Sequence, residues 1–394
     1  MRCLACTKHE VCSVNFEALS YESAVNIPEL EKAFQKNFTE RSELGASVCV
    51  WQGGVEMLSL HQGWCERGEE RAWTQDTIVP FYSTTKGLSL GALLLIMYEK
   101  GLSPENLVTD VWPEFPVKNG SIAQLLSHQL GLAALDERVD TMDYEAVIHA
   151  IEKQQPLWAA GEAHGYHPRT YGFMLDEIVR RLTGRPLGEM WREKVAIPLA
   201  LDAWIGLPES EFGRVATLYP GRQRKEDLQS GFYKELNKED SLVRRAFASP
   251  RGLHSVREMN EPRAWQAALP AMGGVGSARA VAKFYQAACG AISFFPEEVQ
   301  QWMQQTQSSG HDLILQTQTA FSCGFQLDPL DRVGRKARHH YGISRRGFGH
   351  PGAGGSHAFG DPDSGISFCY LMNQMELSPM PGVKCLDMVR AIYL

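Results

Sequence analysis

The sequence predicts an α+β fold: an antiparallel sheet flanked by helices, built from both chain ends, with a mainly helical lobe inserted between them. Strand patterns occur near the N-terminus, helical patterns dominate about residues 105–275, and strand patterns return in the last third of the chain. The early strands form a hairpin, which indicates antiparallel pairing instead of alternating βαβ units.

The N-terminal part supplies a helix, a hairpin and a second helix. Residues 28–40 have helical periodicity, and residues 45–64 are typical of two strands joined by a Gly-Gly turn. Residues 88–99 are helical and strongly apolar, and a glycine and a proline follow them. We expect this second helix to be buried.

Helical patterns fill the middle of the chain, where convincing strands are few. They lie in "SIAQLLSHQLGL", "DYEAVIHAIEKQ", "YGFMLDEIVRRLTG" and "LGEMWREKVAIPLAL". The polar stretch 221–246 is expected to be a long surface excursion. After Ser277, a suitable helix N-cap, strand patterns appear in "FSCGFQLD", "SHAFGD" and "GISFCYLMNQM", and "GVKCLDMVRAIYL" predicts a final helix on the sheet.

This order divides the chain into two domains. Residues 1–104 and 275–394 are predicted to form the sheet domain, and residues 105–274 the mainly helical domain. Clefts between such lobes are favoured places for ligands, so we expect the active site there.

Composition narrows the classes of partner. The chain has 394 residues, 44% hydrophobic and 22% charged, with a formal net charge of −7, which disfavours nucleic acid as a partner. Its basic stretches, "RQRK" and "DRVGRKARHH", are interpreted as solvated loops. The longest apolar run, "LGALLLIM", is far short of a spanning helix, and the N-terminus lacks a secretory pattern. We therefore expect a cytoplasmic protein without a membrane partner; its oligomeric state stays open.

The nine cysteines do not suggest a disulfide framework. Cys3, Cys6 and Cys12 cluster near the N-terminus, but no second C-x-x-C pair follows, so free thiols are expected. No metal-ligand spacing stands out elsewhere, and neither a metal nor a cofactor is expected.

The candidate chemistry begins in "PFYSTTKGLSL", residues 80–90. Ser83 and Lys86 are three residues apart and would project from the same face of a first helical turn. A buried amine has a lowered pKa and can take a proton from a hydroxyl that attacks a carbonyl. Roughly one such pair is expected by chance in this chain, so the spacing alone leaves open two ordinary residues at the start of a core helix.

Further segments carry a family resemblance. "VTDVWPEFPVKNGSIAQLLSHQLGLAAL", "PLWAAGEAHGYHPRTYGFMLDEIVRRLTGRPLGEMW" and "FGHPGAGGSHAFGDPDSGISFCYLMNQM" follow the Ser-x-x-Lys segment in order. Together they resemble the class C β-lactamase-like esterases, often called family VIII carboxylesterases, of the serine β-lactamase and penicillin-binding protein superfamily. The resemblance covers most of the chain from about residue 40 and implies a β-lactamase/transpeptidase-like fold.

The resemblance implies a role for each matching residue. Ser83 would be the nucleophile on a helix of the sheet domain and Lys86 its partner base. Tyr166, in the helical domain, would share proton transfer with Lys86, as a phenol that ionises more easily beside an ammonium. His350 and Gly352 would lie on the substrate-cleft strand, where the glycine lets substrate approach. The backbone N–H groups of Ser83 and Ala353 would form the oxyanion hole.

Two departures from the family pattern favour a small neutral ester as the substrate. His350 and Pro351 stand where β-lactamases have a lysine and a hydroxyl residue, so a permanent cation for a β-lactam carboxylate is missing. The Tyr-x-Asn motif is Tyr166-His167-Pro168 here, so the amide that would contact an acylamide side chain is absent. The expected activity is that of a carboxylesterase, with weak β-lactamase activity possible.

Several alternatives stay open. The same fold serves β-lactamases, D-alanyl peptidases and acyltransferases, and a non-catalytic binding protein could keep it. An α/β-hydrolase would need G-x-S-x-G, to which "GGSHA" around Ser356 is only a near match. The histidines 128, 164 and 167 are interpreted as a structural residue and two surface or loop residues. Four aromatic residues could line an acyl pocket or belong to the core: Phe81, Tyr82, Trp112 and Trp158.

Overall fold

A computed structural model describes residues 25–222 and 230–394. Within them, strands and helices form a mixed α/β molecule around an antiparallel sheet of eight strands in the order β2-β1-β11-β10-β9-β8-β7-β6. The strands are β1 (Gly45–Gln52), β2 (Val55–Gly63), β3 (Val79–Pro80), β4 (Ala203–Ile205), β5 (Gly274–Gly276), β6 (Ser308–His311), β7 (Gln318–Phe321), β8 (Gln326–Leu327), β9 (Phe348–Pro351), β10 (His357–Asp361) and β11 (Ile366–Met372). The predicted α+β fold class is confirmed.

Helices occupy most of the chain between the N-terminal and the C-terminal strands of this sheet. Their bounds are α1 (Ile27–Glu40), α2 (Thr85–Glu99), α3 (Ile122–Leu126), α4 (Tyr144–Lys153), α5 (Thr170–Thr183), α6 (Leu187–Trp191), α7 (Gly231–Asn237), α8 (Leu242–Ala248), α9 (Val256–Met259), α10 (Pro262–Gln266), α11 (Ala278–Ala288), α12 (Glu297–Gln304) and α13 (Val383–Ile392). Short 3₁₀ turns occupy Val108–Asp110 and Glu209–Arg214, and a π-turn continues α6 over Arg192–Ala196.

The sheet joins the two ends of the chain. β1, from the N-terminal hairpin, pairs with β11 from the C-terminal part, with Val48 opposite Tyr370. The turn between β1 and β2 is Gly53-Gly54, and both glycines have positive φ angles, 58° and 82°, as a tight two-residue hairpin turn requires. The predicted hairpin is therefore confirmed.

Helix α2 is the central buried helix of the molecule. Thirteen of its residues are buried, from Thr85 to Met97, as expected for a helix that is apolar on all sides. Gly91 allows α11 to approach closely, since a Cβ at Gly91 would lie 2.6 Å from the Phe284 ring. This packing fixes the start of α2, where Ser83 lies.

Short strands in the middle of the chain escaped prediction. β3, β4 and β5 form a second sheet in the order β3-β5-β4, which ties the segment before Ser83 to residues 203–205 and 274–276. The proposed domain division at residues 104 and 275 stays a prediction. Cys3, Cys6 and Cys12 lie outside the described residues. In the described part of the chain, no helix combines the length and apolar character needed to cross a bilayer.

Candidate active site

Ser83 lies in the turn that links β3 to α2. Tyr82, just before it, has φ 46°, in the left-handed region that bulky residues rarely occupy. Thr85 holds this turn: its hydroxyl donates to the Tyr82 carbonyl and accepts the Gly274 N–H at 2.8 Å. The strained backbone presents a half-buried Ser83 at the first turn of a buried helix.

Lys86 lies beside Ser83 and is completely buried. Its Nζ is 3.3 Å from Ser83 Oγ, 3.0 Å from the Pro168 carbonyl oxygen and 2.9 Å from the Ala271 carbonyl oxygen. Two of these partners can only accept hydrogen bonds, whereas a serine hydroxyl can also donate. A neutral amine fits this arrangement, because its two N–H groups reach the carbonyls and its lone pair faces Ser83.

Electrostatics support the neutral form of Lys86. Burial lowers the pKa of Lys86 well below its usual value, and the nearby Arg169 cation lowers it further. Arg169 is itself buried and donates to the carbonyl oxygens of Pro250 at 2.9 Å and Leu253 at 3.4 Å. Sequence reasoning missed Arg169, since its partners are backbone carbonyls that leave no side-chain pattern.

Tyr166 lies next to the side chain of Lys86. The Lys86 Nζ is 4.8 Å from the centre of the Tyr166 ring, which is 4% exposed. Burial raises the pKa of Tyr166, and the Ser83 side chain beside its hydroxyl offsets this only in part. The expected easy ionisation of Tyr166 is therefore wrong, because burial raises the pKa of the phenol and favours its protonated form.

Asp312 positions Tyr166 and was also missed. Its Oδ1 accepts the backbone N–H of Tyr166 at 3.0 Å, of Ile314 at 2.9 Å and of Leu315 at 2.8 Å. Its Oδ2 accepts the Thr319 hydroxyl at 3.1 Å. Asp312 is fully buried, so this carboxyl group locks the loop that carries Tyr166 against the segment before β7.

The neighbouring histidines are structural. His128 is buried, accepts the His167 N–H on Nδ1 at 3.3 Å and packs edge-on against the Tyr166 ring, as predicted for a structural histidine. His164 and His167 lie in a loop, which is one of the two predicted positions, and both are buried there and not at the surface. His164 Nε2 is 2.8 Å from the Thr319 hydroxyl, while His167 Nε2 accepts the Leu132 N–H at 3.0 Å.

The end of β9 lies against the Ser83 turn. A Cβ at Gly352 would overlap the Phe81 carbonyl oxygen and lie 2.9 Å from Thr84 Oγ1. Gly352 is therefore needed for backbone packing against the turn, in addition to any role in substrate approach. Neither the Ser83 N–H nor the Ala353 N–H donates to another described residue, which leaves both available to a developing oxyanion.

His350 is buried and neutral. Its Nδ1–H donates to the Pro351 carbonyl at 2.8 Å, and its Nε2 has no hydrogen-bond partner among the described residues. Burial lowers the pKa of His350 well below its usual value, with Lys86 as the next cause. The ring lies 5.9 Å from that of Tyr166, so a neutral acceptor, not a cation, borders the site.

Ser356 does not have the surroundings of a nucleophile. It lies buried after β9, where its carbonyl accepts the Gly352 N–H at 2.7 Å, and within the described chain its hydroxyl has no hydrogen-bond partner to activate it. The described residues also contain no group of three or more His, Cys, Asp or Glu placed to hold a metal ion.

An apolar wall surrounds Tyr166. Its buried members are Ala133, Ala134, Ala246, Ile314, Leu315 and Phe321, and partly buried Leu157, Trp158, Leu242, Phe247 and Met380 pack against them. Trp158 therefore borders the site, whereas Phe81 and Trp112 are fully buried in the main core. Such a wall suits a small apolar acyl or alcohol group.

The chain is similar in sequence to a known protein family and to a characterised relative. A family model described as Beta-lactamase matches residues 30–383. The Esterase/beta-lactamase LipL of Mycobacterium tuberculosis is 26% identical over 364 residues, 89% of this chain and 81% of that protein.

The fold is also similar to those of several solved structures. A penicillin-binding protein homologue from Caulobacter crescentus and a family VIII carboxylesterase are each 30% identical with a TM-score of 0.82, covering 93% of this chain and 97% of theirs. EstA from Arthrobacter nitroguajacolicus is 25% identical with a TM-score of 0.77, covering 94% of this chain and 96% of its own.

Proposed function

The chain belongs to the beta-lactamase family, and we propose that it hydrolyses small carboxylic esters through an acyl-enzyme on Ser83. The observation that carries this proposal is the 3.3 Å contact between Ser83 Oγ and a buried Lys86 Nζ whose other partners are two carbonyl oxygens. That arrangement suits proton transfer from the hydroxyl to the amine.

The first half-reaction forms the acyl-enzyme. Ser83 Oγ attacks the ester carbonyl carbon while Lys86 takes its proton, and the N–H groups of Ser83 and Ala353 stabilise the oxyanion. The carbon–oxygen bond to the alcohol then breaks. The protonated Tyr166 hydroxyl beside Ser83 delivers a proton to the leaving alkoxide and regains one from Lys86, so the amine returns to its neutral form.

The second half-reaction uses water. A water molecule attacks the acyl carbon and loses a proton to Lys86. The proton passes to Lys86 either directly or through the Tyr166 hydroxyl. The bond between the acyl carbon and Ser83 Oγ breaks, Ser83 regains its proton, and the carboxylic acid leaves. The residues thus finish in their starting protonation states.

The lack of a cation at position 350 favours esters over β-lactams as substrates. A neutral His350 replaces the cation that would bind a β-lactam carboxylate, and the motif after Tyr166 lacks an amide. The likeness to LipL, described as an esterase and β-lactamase, and to a family VIII carboxylesterase supports ester hydrolysis with weak β-lactam turnover.

Steady-state kinetics test the proposal with p-nitrophenyl butyrate and nitrocefin. We expect ester turnover to exceed nitrocefin turnover and Ser83→Ala to lower the ester kcat/KM by roughly 10³-fold or more. Ser356→Ala, the control, should keep near wild-type activity. Substantial ester turnover by Ser83→Ala would refute the proposal.

A further inference from the structure

An open groove of about 1480 Å³ has walls that are hydrogen-bonded to segments of the proposed catalytic centre, and the mechanism above does not use it. One wall, residues 374–380, is bound to Gly354: the Gly354 N–H donates to the Ser378 carbonyl at 3.1 Å and the Glu376 N–H to the Gly354 carbonyl at 2.8 Å. Gly354 directly follows Ala353. This wall of the groove is therefore bonded to the residue that follows the proposed oxyanion hole.

The facing wall is also tied to the centre. It includes Leu315, whose N–H donates to the same Asp312 oxygen that accepts the Tyr166 N–H. Leu315 and Met380, both in the groove lining, belong to the apolar wall around Tyr166. Both walls of the groove are thus connected to residues of the proposed centre.

Arg338 lines this groove and shares its carboxylate partner with other groups. Its Nε lies 3.5 Å from Asp328 Oδ1, but Asp328 already accepts Lys336 Nζ at 2.7 Å and the N–H groups of His340 and Tyr341, each at 3.1 Å. Within the described residues, Arg338 Nε and Nη2 are buried atoms without a hydrogen-bond partner. A guanidinium that lines a groove and whose carboxylate partner is shared is suited to a further carboxylate or phosphate.

A second arginine adds to the positive charge. Arg67 lines the groove, stacks on the Tyr219 ring at 4.4 Å and donates to Gln374 Oε1 at 3.0 Å, with no carboxylate within ion-pair distance among the described residues. The loop 331–346, which contains Arg338, has six Lys or Arg residues and one Asp, in a chain of net charge −7. Such a concentration of charge attracts anions.

Two other cations of the groove lining are paired with carboxylates. Lys384 Nζ lies 3.0 Å from Glu43, and Arg41 is paired with Asp387 outside the lining. Glu376 is the remaining carboxylate of the lining and has an interaction of its own. The positive charge of Arg67 and Arg338 is therefore not cancelled within these pairs.

We propose that this groove binds an anionic substituent of the substrate, a carboxylate or phosphate remote from the scissile ester, with Arg338 as its principal ligand. The inference rests on the proposed ester hydrolysis and refines its substrate class. It agrees with a neutral His350 at the centre, since the anion is recognised away from the reacting bond.

The test compares matched esters that differ in charge. One pair is p-nitrophenyl butyrate and mono-p-nitrophenyl glutarate, charged on the acyl side; the other is 4-(methoxycarbonyl)phenyl butyrate and 4-carboxyphenyl butyrate, charged on the alcohol side. We expect the anionic member of at least one pair to have at least a tenfold higher kcat/KM. Salt should reduce that preference in the unaltered protein, because it screens the charges.

Variants of Arg338 and Arg335 then test which residue binds the anionic substituent. Arg338→Gln should lower kcat/KM for the preferred anionic ester roughly ten- to one-hundred-fold and change the neutral partner less than twofold, with Arg338→Lys intermediate. Arg335→Gln removes the same charge from the same loop, but Arg335 is exposed and pairs with Asp331 at 3.1 Å, so its effect should be below threefold.

Several results would overturn the inference. They are the lack of an anionic preference in both pairs, an equal loss on neutral and anionic esters in Arg338→Gln, or an equal effect of Arg335→Gln. Neutral ester turnover that depends on Ser83 but shows no anionic preference would refute only this inference. Turnover that survives Ser83→Ala would refute the proposed function itself.

Discussion

Lys86 and Tyr166, both beside Ser83, have pKa values that burial shifts in opposite directions. Burial lowers the pKa of Lys86 and raises that of Tyr166, which favours the neutral amine and the protonated phenol. Pairs of groups whose pKa values are pushed apart are typical of acid and base roles. In this account Lys86 accepts the proton from Ser83 and Tyr166 donates to the leaving group.

The pH dependence of the ester reaction tests the state of Lys86. Below its lowered pKa, Lys86 is an ammonium and cannot accept the Ser83 proton. The kcat/KM of a neutral ester should therefore rise with pH through that lowered value and level off well before 10.4, the ordinary lysine pKa. Stopped-time assays across pH with a pH-independent leaving-group readout measure this profile.

Lys86→Arg supplies the matching variant. An arginine remains charged, so kcat should fall roughly 10²- to 10⁴-fold at all accessible pH values. Lys100→Arg, at the exposed end of α2, is the control and should behave as wild type. Retention of most activity by Lys86→Arg would contradict the assignment of the base.

At the scale of elements, the site depends on the meeting of the β3–α2 turn with the end of β9. Gly352 is in contact with the turn at Phe81 and Thr84, while the Gly352 N–H is bonded within its own loop to Ser356. The spacing of the Ser83 and Ala353 N–H groups is therefore set by backbone packing between a helix start and a strand end.

Gly352→Ala tests this packing. The added methyl group would overlap the Phe81 carbonyl, so the strand end must move, with a loss of roughly 1–3 kcal/mol in stability and about 10²-fold in kcat/KM. Thermal unfolding and ester kinetics measure the two effects. Gly213→Ala is the control, since a Cβ there meets nothing within 4 Å. Equal behaviour of the two variants would show that this contact does not shape the site.

The elements that sequence patterns predicted are the long ones. The hairpin of β1 and β2, the buried α2 and the final helix α13 follow directly from periodicity and turn residues. The helix predicted in "SIAQLLSHQLGL" ends at Leu126, and His128 has φ 63°, a backbone conformation that no residue pattern indicated. β3, β4 and β5 are only two or three residues long, too short for alternation to be recognised.

At the scale of the whole molecule, the site combines local and distant contributions. Ser83 and Lys86 are candidates from their spacing, but the family resemblance is needed to single them out. The same resemblance indicates Tyr166, His350, Gly352 and Ala353. Asp312 could not be predicted, because it holds Tyr166 through a backbone N–H 146 residues away in sequence. The carbonyl contacts of Arg169 and the groove that Arg338 lines likewise exist only after folding.

Contacts between the N-terminal and C-terminal parts of the described chain also stabilise the fold. Helices α1 and α13 pack together, and the buried Lys384 and Glu43, 3.0 Å apart, link α13 to the segment before β1. Burial raises the pKa of Glu43, and Lys384 opposes that rise. Both ends of the chain therefore stabilise the sheet whose strand β9 borders the site.

Intact-protein mass spectrometry tests the central claim, a covalent acyl-enzyme on Ser83, most directly. The protein is quenched in acid soon after mixing with p-nitrophenyl esters of different acyl length or with a fluorophosphonate, and the labelled peptide is then sequenced. The account predicts a mass increase equal to one acyl or phosphonyl group on the peptide that contains Ser83, and no increase in Ser83→Ala. A label on another residue such as Ser356, or an unlabelled protein that still turns over ester, would contradict it.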